Sequence, residues 1–301
     1  MSSYLEATAR QRITTLLDQF EEFLPPSHKV ISPHLAQLDA PVAFDDGVVV
    51  GQGRLQGKTV YAAAQEGGFM GGAVGEVHGA KLVGLMRRAV LHNADAVLLL
   101  LDTGGVRLHE ANAGLIAVSE VMRAVLEVRA AGIPVIVLIG GSNGCFGGMG
   151  IVARCANAIV MSEEARLAMS GPEVIETANG VEEFDSRDRA LVWRTTGGKH
   201  RYLLGDCQML VADDVAAFKQ AALDMVKACA QQQVALTLEG LEQEQLMLTA
   251  RLQQFGDYRE PMQIWSALGI AEPQQLPMLE AQAFVALAHR HRITTTTGAA
   301  S

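Results

Sequence analysis

The chain has 301 residues, 49% of them hydrophobic and 19% charged, which is enough apolar material for one large packed domain or two small ones. A formal net charge of -9 argues against a broad basic surface for nucleic acid or anionic lipid. The four cysteines (Cys145, Cys155, Cys207 and Cys229) form no CxxC pair and there is no HExxH, so neither a disulfide framework nor a protein-built metal site is expected.

The first segment, MSSYLEATARQRITTLLDQF, mixes charge with apolar residues at helical spacing and has no continuous apolar stretch of the signal-peptide kind. It predicts an amphipathic helix over residues 4 to 20, ended by Leu24-Pro25-Pro26. No run reaches membrane-spanning length, and a cytoplasmic protein is expected. The fold proper is expected to begin near Phe44. Val48 to Leu55 and Thr59 to Gln65 read as strands, with a turn at Gly57. The glycine-rich loop GGFMGGAVG, Gly67 to Gly75, comes next.

From Val77 the apolar residues Leu82, Val83, Leu85, Met86 and Val90 recur at helical spacing, and this helix should end near His92-Asn93. Ala96 to Asp102, AVLLLLD, is an uninterrupted apolar run of the kind covered on both faces of a parallel sheet. Thr103-Gly104-Gly105 breaks it, and a long helix is expected from Val106 to Ala131, closed by Gly132. Pro134 to Ile139 is a second buried strand. A glycine-rich turn, Gly140 to Gly150, leads into a short helix to about Ala156, and Ala158 to Met161 is a third strand. The repetition of strand, turn and helix argues for an α/β protein with parallel pairing and right-handed crossovers. Beyond Asp213 the pattern turns helical, with Val215 to Gln231 and Leu236 to Phe255 as main elements. The tail ITTTTGAAS is expected to be disordered.

Two turns share one construction: a buried strand runs into a Gly-Gly pair, and a helix follows. Gly104-Gly105 forms the first and Gly147-Gly148 lies in the second. Glycine lets a ligand approach the main chain, and unpaired N-H groups at a helix start favour negative charge, so this arrangement can build an oxyanion hole. Turning the chain is the plainer use of each pair. VIVLIGGSNGCFGGMG cannot be laid on Gly-x-Gly-x-x-Gly or on the Walker pattern, and no Gly-x-Ser-x-Gly exists. Cys145 occupies the second turn without a nearby histidine to activate it, and reads as a small buried residue.

Four segments, GGFMGGAVGEVHGAKL, LDTGGVRLHEANAG, CFGGMGIVA and AMSGPEVIETA, are similar in order and spacing to the carboxyltransferase subunits of acetyl-CoA carboxylase and its relatives, over roughly Phe44 to Asp214. The chain resembles still more closely, over nearly its whole length, the β subunits of biotin-independent malonate decarboxylases, including SPHLAQLDAPVAFDDGVVVGQG and GVEEFDSRDRALVWRTTGGKHRY. The resemblance implies a crotonase/ClpP-like superhelix of ββα units with a helical C-terminal part. The expected organisation is an N-terminal helical extension (1–40), a carboxyltransferase domain (41–235), a C-terminal helical extension (236–292) and a tail (293–301).

The resemblance also implies a γ subunit sharing an active site at the interface, an acyl carrier protein bearing malonyl on a dephospho-coenzyme A-type arm, and an acyl-carrier transferase α subunit. The implied reaction releases CO2 through an enolate whose charge rests on the thioester oxygen. No biotin attachment site is seen, and the four-cysteine zinc ribbon of the acetyl-CoA carboxylase β subunit is missing. Gly104, Gly105, Gly147 and Gly148 are the expected oxyanion donors. Lys81 and Arg107 are candidates for the phosphates of the arm, and Ser170-Gly171-Pro172 for the thioester channel. His78 and His109 are candidates for the proton donor. SRDRALVWRTTGGKHRY, with Lys199 and Arg201, is a candidate for docking the acidic carrier. Two alternatives remain: a structural or carrier-docking subunit whose partner supplies the chemistry, and a carboxyltransferase subunit of a biotin-dependent carboxylase.

Overall fold

A computed structural model describes residues 3–231 and 236–294. Seven strands form one sheet in chain order: β1 (Asp18–Phe23), β2 (Val48–Leu55), β3 (Lys58–Gln65), β4 (Ala96–Leu101), β5 (Val135–Ile139), β6 (Ala158–Ser162) and β7 (Met209–Val211). The helices are α1 (Ala9–Leu16), α2 (Pro33–Gln37), α3 (Glu76–Leu91), α4 (Asn112–Ala130), α5 (Gly147–Arg154) and α6 (Pro172–Asn179). They continue with α7 (Arg189–Thr196), α8 (Gly198–Leu203), α9 (Val215–Ala230), α10 (Leu238–Phe255), α11 (Pro261–Ala267) and α12 (Ala281–Ala288).

The strands from β3 to β7 pair in parallel, and β1 and β2 add antiparallel strands at one edge. β4 and β5 are buried at every position, because side chains that alternate across a parallel sheet meet a helix layer on each face. Val97, Leu99, Leu101, Val135, Val137 and Ile139 pack with Leu82 and Met86 of α3 and Val121 and Val125 of α4. Leu98, Leu100, Ile136 and Leu138 pack on the other face with Ile13 and Leu16 of α1 and Phe218 and Val226 of α9.

A second row of pairing runs beyond the strand ends. Val74 bridges Val106, and Cys145 bridges both Thr103 and Leu167 in parallel. Each repeat thus supplies a long strand, a short bridging segment and a helix, which is the ββα superhelix expected from the resemblance.

The N-terminal segment differs from its expectation. The helix stops at Leu16, and Asp18–Phe23 forms an edge strand against β2, covering backbone groups that would otherwise be unpaired. Tyr4 stacks on Phe218 and Arg12 reaches Asp102 in the interior, so the segment packs into the core. The long helix also starts later than Val106. Val106 is held by its bridge to Val74 and Arg107 is drawn into a buried ion cluster; a single 3-10 turn (Leu108–Glu110) intervenes before α4 begins at Asn112. Gly132 closes α4 at φ +78 as expected. Residues 295–301 of the expected tail lie outside the described residues, while the Ile293 N-H donates to Leu203 O at 2.8 Å.

Candidate active site

The carboxyl ends of β4, β5 and β6 lie side by side, and each runs into a turn. The β4 turn holds Thr103-Gly104-Gly105, the β5 turn holds Ser142 to Phe146 and opens directly into α5, and the β6 loop holds Arg166 to Pro172. Gly105 has φ +119 and Gly147 φ +59, conformations that side-chain-bearing residues resist. A Cβ on Gly105 would lie 3.2 Å from Phe146 O and 3.3 Å from Gly147 Cα. The two glycine turns are therefore in contact, although about forty positions separate them in the chain.

Their N-H groups are not equivalent. Gly104 N-H donates to Gly71 O at 2.8 Å, and Gly105 N-H to Thr103 Oγ1 at 3.0 Å. Gly147 N-H donates to Met169 O at 2.8 Å, which ties the β6 loop to α5. Gly148 and Met149 sit in the first turn of α5, where the helix offers no acceptor; among the described residues neither N-H has one, and Gly150 is the first to bond back, to Phe146 O at 3.3 Å. Gly148 is half-buried and Met149 fully buried, so the Gly148 N-H is the more accessible.

A buried polar chain runs beneath the turns. Arg12 Nη1 donates to Asp102 Oδ2 at 2.9 Å, and Asp102 Oδ1 accepts from Asn143 N-H at 2.8 Å, fixing the start of the second turn to the end of β4. Asp102 N-H donates to Gln65 Oε1, whose amide meets His78 Nε2 at 3.1 Å. His78 N-H donates to Asp46 Oδ2, which also takes Arg107 Nη1 at 2.9 Å, and Arg107 pairs with Glu110 at 3.1 Å. Burial pushes the His78 pKa down to about 3, with Arg107 adding to it, so His78 is neutral. Burial raises the Asp46 carboxyl despite Arg107.

Residues 6–234 match the family model described as the carboxyl transferase domain. The chain belongs to this family. It is 41% identical over 307 residues, 96% of each chain, to the malonyl-S-ACP:biotin-protein carboxyltransferase MADC of Malonomonas rubra. It is 42% identical, with a TM-score of 0.73 over 76% of this chain and 84% of the other, to a chain of a Pseudomonas malonate decarboxylase hetero-tetramer solved in complex with malonate. It is 31% identical to the acetyl-coenzyme A carboxylase carboxyl transferase subunit beta of Fusobacterium nucleatum subsp. nucleatum, over 58% of this chain and 59% of that one. The resemblance read from the motifs is borne out, and with it the crotonase-like fold.

Within this carboxyl transferase domain several expected arm and carrier contacts turn out to be internal. Lys81 is buried, its Nζ donating to Asp45 O at 2.8 Å and to Val48 O, and burial lowers its pKa to about 8. The Arg107 side chain has no exposure and is held between Asp46 and Glu110. Neither reaches a ligand from these positions, because Lys81 satisfies two buried backbone carbonyls and Arg107 neutralises two buried carboxylates. Lys199 is paired with Glu163 at 2.8 Å and donates to Pro277 O and Leu279 O, tying the C-terminal helices to the sheet. Arg201 pairs with Asp206 at 3.2 Å. The candidate docking pair is therefore a pair of structural contacts, and of that segment's basic side chains only Arg187 and Arg189 are exposed.

Ser170, Gly171 and Pro172 do lie at the junction, at the N-terminal end of α6 and next to Met169. His109 is exposed on the 3-10 turn. Cys145 is fully buried and burial pushes its thiol pKa up, as suits an inert residue. Among the described residues no group of three His, Cys, Asp or Glu side chains is arranged to hold a metal. Sequence reasoning missed Thr103, Asn143 and Met169, whose hydrogen bonds set the turns. The partners of Asn143 and Met169 are remote in the chain and no local pattern announces them, whereas Thr103 accepts from Gly105 within its own turn.

Proposed function

We propose that this chain is the carboxyltransferase-type β subunit of a malonate decarboxylase and that, with a γ subunit, it converts a malonyl thioester on an acyl carrier protein to the acetyl thioester and CO2. The observation that carries the mechanism is the open Gly148 N-H at the helix start where two glycine turns meet. Cleavage of the bond to the carboxyl carbon releases CO2 and leaves its electron pair delocalised onto the thioester oxygen. A fixed N-H donor stabilises that charge most in the transition state. A proton then adds to the α-carbon. His78 is buried and neutral, so the donor comes from solvent, from His109 or from the partner.

Apolar side chains are exposed on the elements that follow these turns. Leu108 (81% exposed), Leu115 and Ile116 at the start of α4, Met169 (66%) and Val174 on α6 form the surface that the γ subunit would cover. The α subunit would exchange the acyl group on the carrier, whose thiol arm is of the dephospho-coenzyme A type. No described helix is long and apolar enough to cross a membrane, in keeping with a cytoplasmic complex.

The name of the Malonomonas rubra relative favours a second reading, in which the same enolate chemistry hands the carboxyl group to biotin on a partner protein. One reconstitution separates the two. The chain co-purified with its γ subunit should release CO2 from malonyl-carrier without biotin and in the presence of avidin. Acetyl-carrier that forms only with a biotinylated acceptor, together with an equal amount of carboxybiotin in place of free CO2, would select the second reading, and no turnover in either condition would overturn both.

A further inference from the structure

With Lys81 and Arg107 spent inside the fold, a different pair of cations stands beside the second glycine turn. The Arg166 guanidinium lies 5.6 Å from the ring centroid of Phe146, the residue immediately before Gly147, and 5.3 Å from that of Trp193. Arg189 lies 5.6 Å from the same Trp193 ring. The indole is fixed by its Nε1-H, which donates to Glu164 O at 3.1 Å, and Arg166 is fixed by a bond from Nη2 to Ser142 O. Among the described residues no carboxylate lies within ion-pair distance of Arg166 or Arg189.

Two guanidiniums gathered on one indole repel each other, and a chain of net charge -9 has many carboxylates that could have neutralised them. Burial lowers the Arg166 pKa; Glu173 and Asp102 oppose this and Arg189 reinforces it, so the half-buried cation is only partly compensated. Stacking on aromatic faces attracts each cation and does not neutralise its charge. The β6 loop that carries Arg166 also carries Met169, whose carbonyl holds Gly147. Arg166 therefore stands on the loop that holds the second glycine turn, against the residue that precedes Gly147.

We propose that Arg166 and Arg189, held on Phe146 and Trp193, form a clamp for the diphosphate of the thioester-bearing arm. This rests on the thioester reading given above. A diphosphate presents enough oxygens to bridge two planar guanidiniums. The malonyl carboxylate fits this position poorly, since an ion pair to the departing group would stabilise the ground state and slow the loss of CO2.

The test uses the full chain, alone and with its γ subunit, titrated with dephospho-coenzyme A and with pantetheine, which lacks phosphate. The signal is Trp193 fluorescence, because the second tryptophan, Trp265, is buried with its N-H on His200. Dephospho-coenzyme A should give a saturable, salt-weakened change and pantetheine none. Arg166→Gln and Arg189→Gln should each weaken the affinity by about tenfold, from loss of a charge-assisted hydrogen bond. Arg166→Gln also loses the Ser142 contact and can disturb the turn; Arg189 is exposed, so Arg189→Gln tests the clamp without that complication. The proposal is overturned if pantetheine binds as well or if Arg189→Gln leaves the affinity for dephospho-coenzyme A unchanged. Phosphate-selective binding by a complex that releases no CO2 supports the clamp and overturns the reaction assigned above.

Discussion

The two glycine turns begin alike and end differently. Each follows a fully buried strand and each needs a glycine at positive φ, Gly105 in one and Gly147 in the other. In the first, Gly104 and Gly105 give their N-H groups to Gly71 O and Thr103 Oγ1, and α4 starts only at Asn112. In the second, α5 starts at Gly147, so Gly148 falls in a first helical turn, where N-H groups have no internal acceptor. Glycine pairs reverse the chain in both places, and the distance to the next helix decides which one offers a donor.

The largest expected effect falls under the first turn. Arg107→Met would leave Asp46 and Glu110 without their cation in the interior, at a cost of about 3 to 5 kcal/mol. Urea unfolding should show it, and near-parent stability would mean that the ion cluster does not hold this turn.

The second turn is tested by its donor. Gly148→Pro removes the N-H where a helix tolerates proline, and Val118→Ala makes room, since a Cβ on Gly148 would meet Val118 Cγ1 at 2.7 Å. The double variant should decarboxylate about a hundredfold more slowly than Gly148→Ala with Val118→Ala, which keeps the N-H. Equal rates from two equally stable proteins would remove Gly148 from the mechanism and shift attention to the partner.

Acid should act on the first turn through His78. Its folded pKa, pushed down to about 3, lies below its unfolded value, so the unfolded chain binds more protons between these values and stability falls as pH drops below about 6.5. His200, also lowered to about 3 by burial, adds a second contribution of the same sign. The loss from each is on the order of 2 kcal/mol by about pH 5. Thermal melts across this range should be flatter for His78→Gln, and equal slopes would exclude His78 as a source.

The smallest expected effect sharpens the contrast in backbone strain. Gly105→Ala places a side chain at φ +119 and should cost at least about 1 kcal/mol, measured by thermal unfolding. No cost would show that this turn relaxes easily.

By itself the sequence determined the class of fold, the order of its elements and the family. Continuous apolar runs such as AVLLLL and VIVLI admit little besides doubly covered parallel strands, and glycine pairs at strand ends mark turns through local backbone chemistry. It placed all four glycines of the junction, and Ser170 to Pro172 beside them. Only the tertiary structure decided which N-H groups are free, because Gly71 and Met169 take two of them from remote parts of the chain while Thr103 takes a third from within its own turn. It also decided the fate of the cations. Lys81, Arg107, Lys199 and Arg201 look like ligand-binding residues in a sequence, yet whether a positive charge meets solvent, substrate or a buried carboxylate depends on what packs against it. For these four the neighbours are Asp45 O, Asp46, Glu163 and Asp206, distant in sequence or turned toward them by the fold. The edge strand at Asp18–Phe23 has the same cause: its apolar spacing suits a helix, and the open edge of β2 makes it a strand.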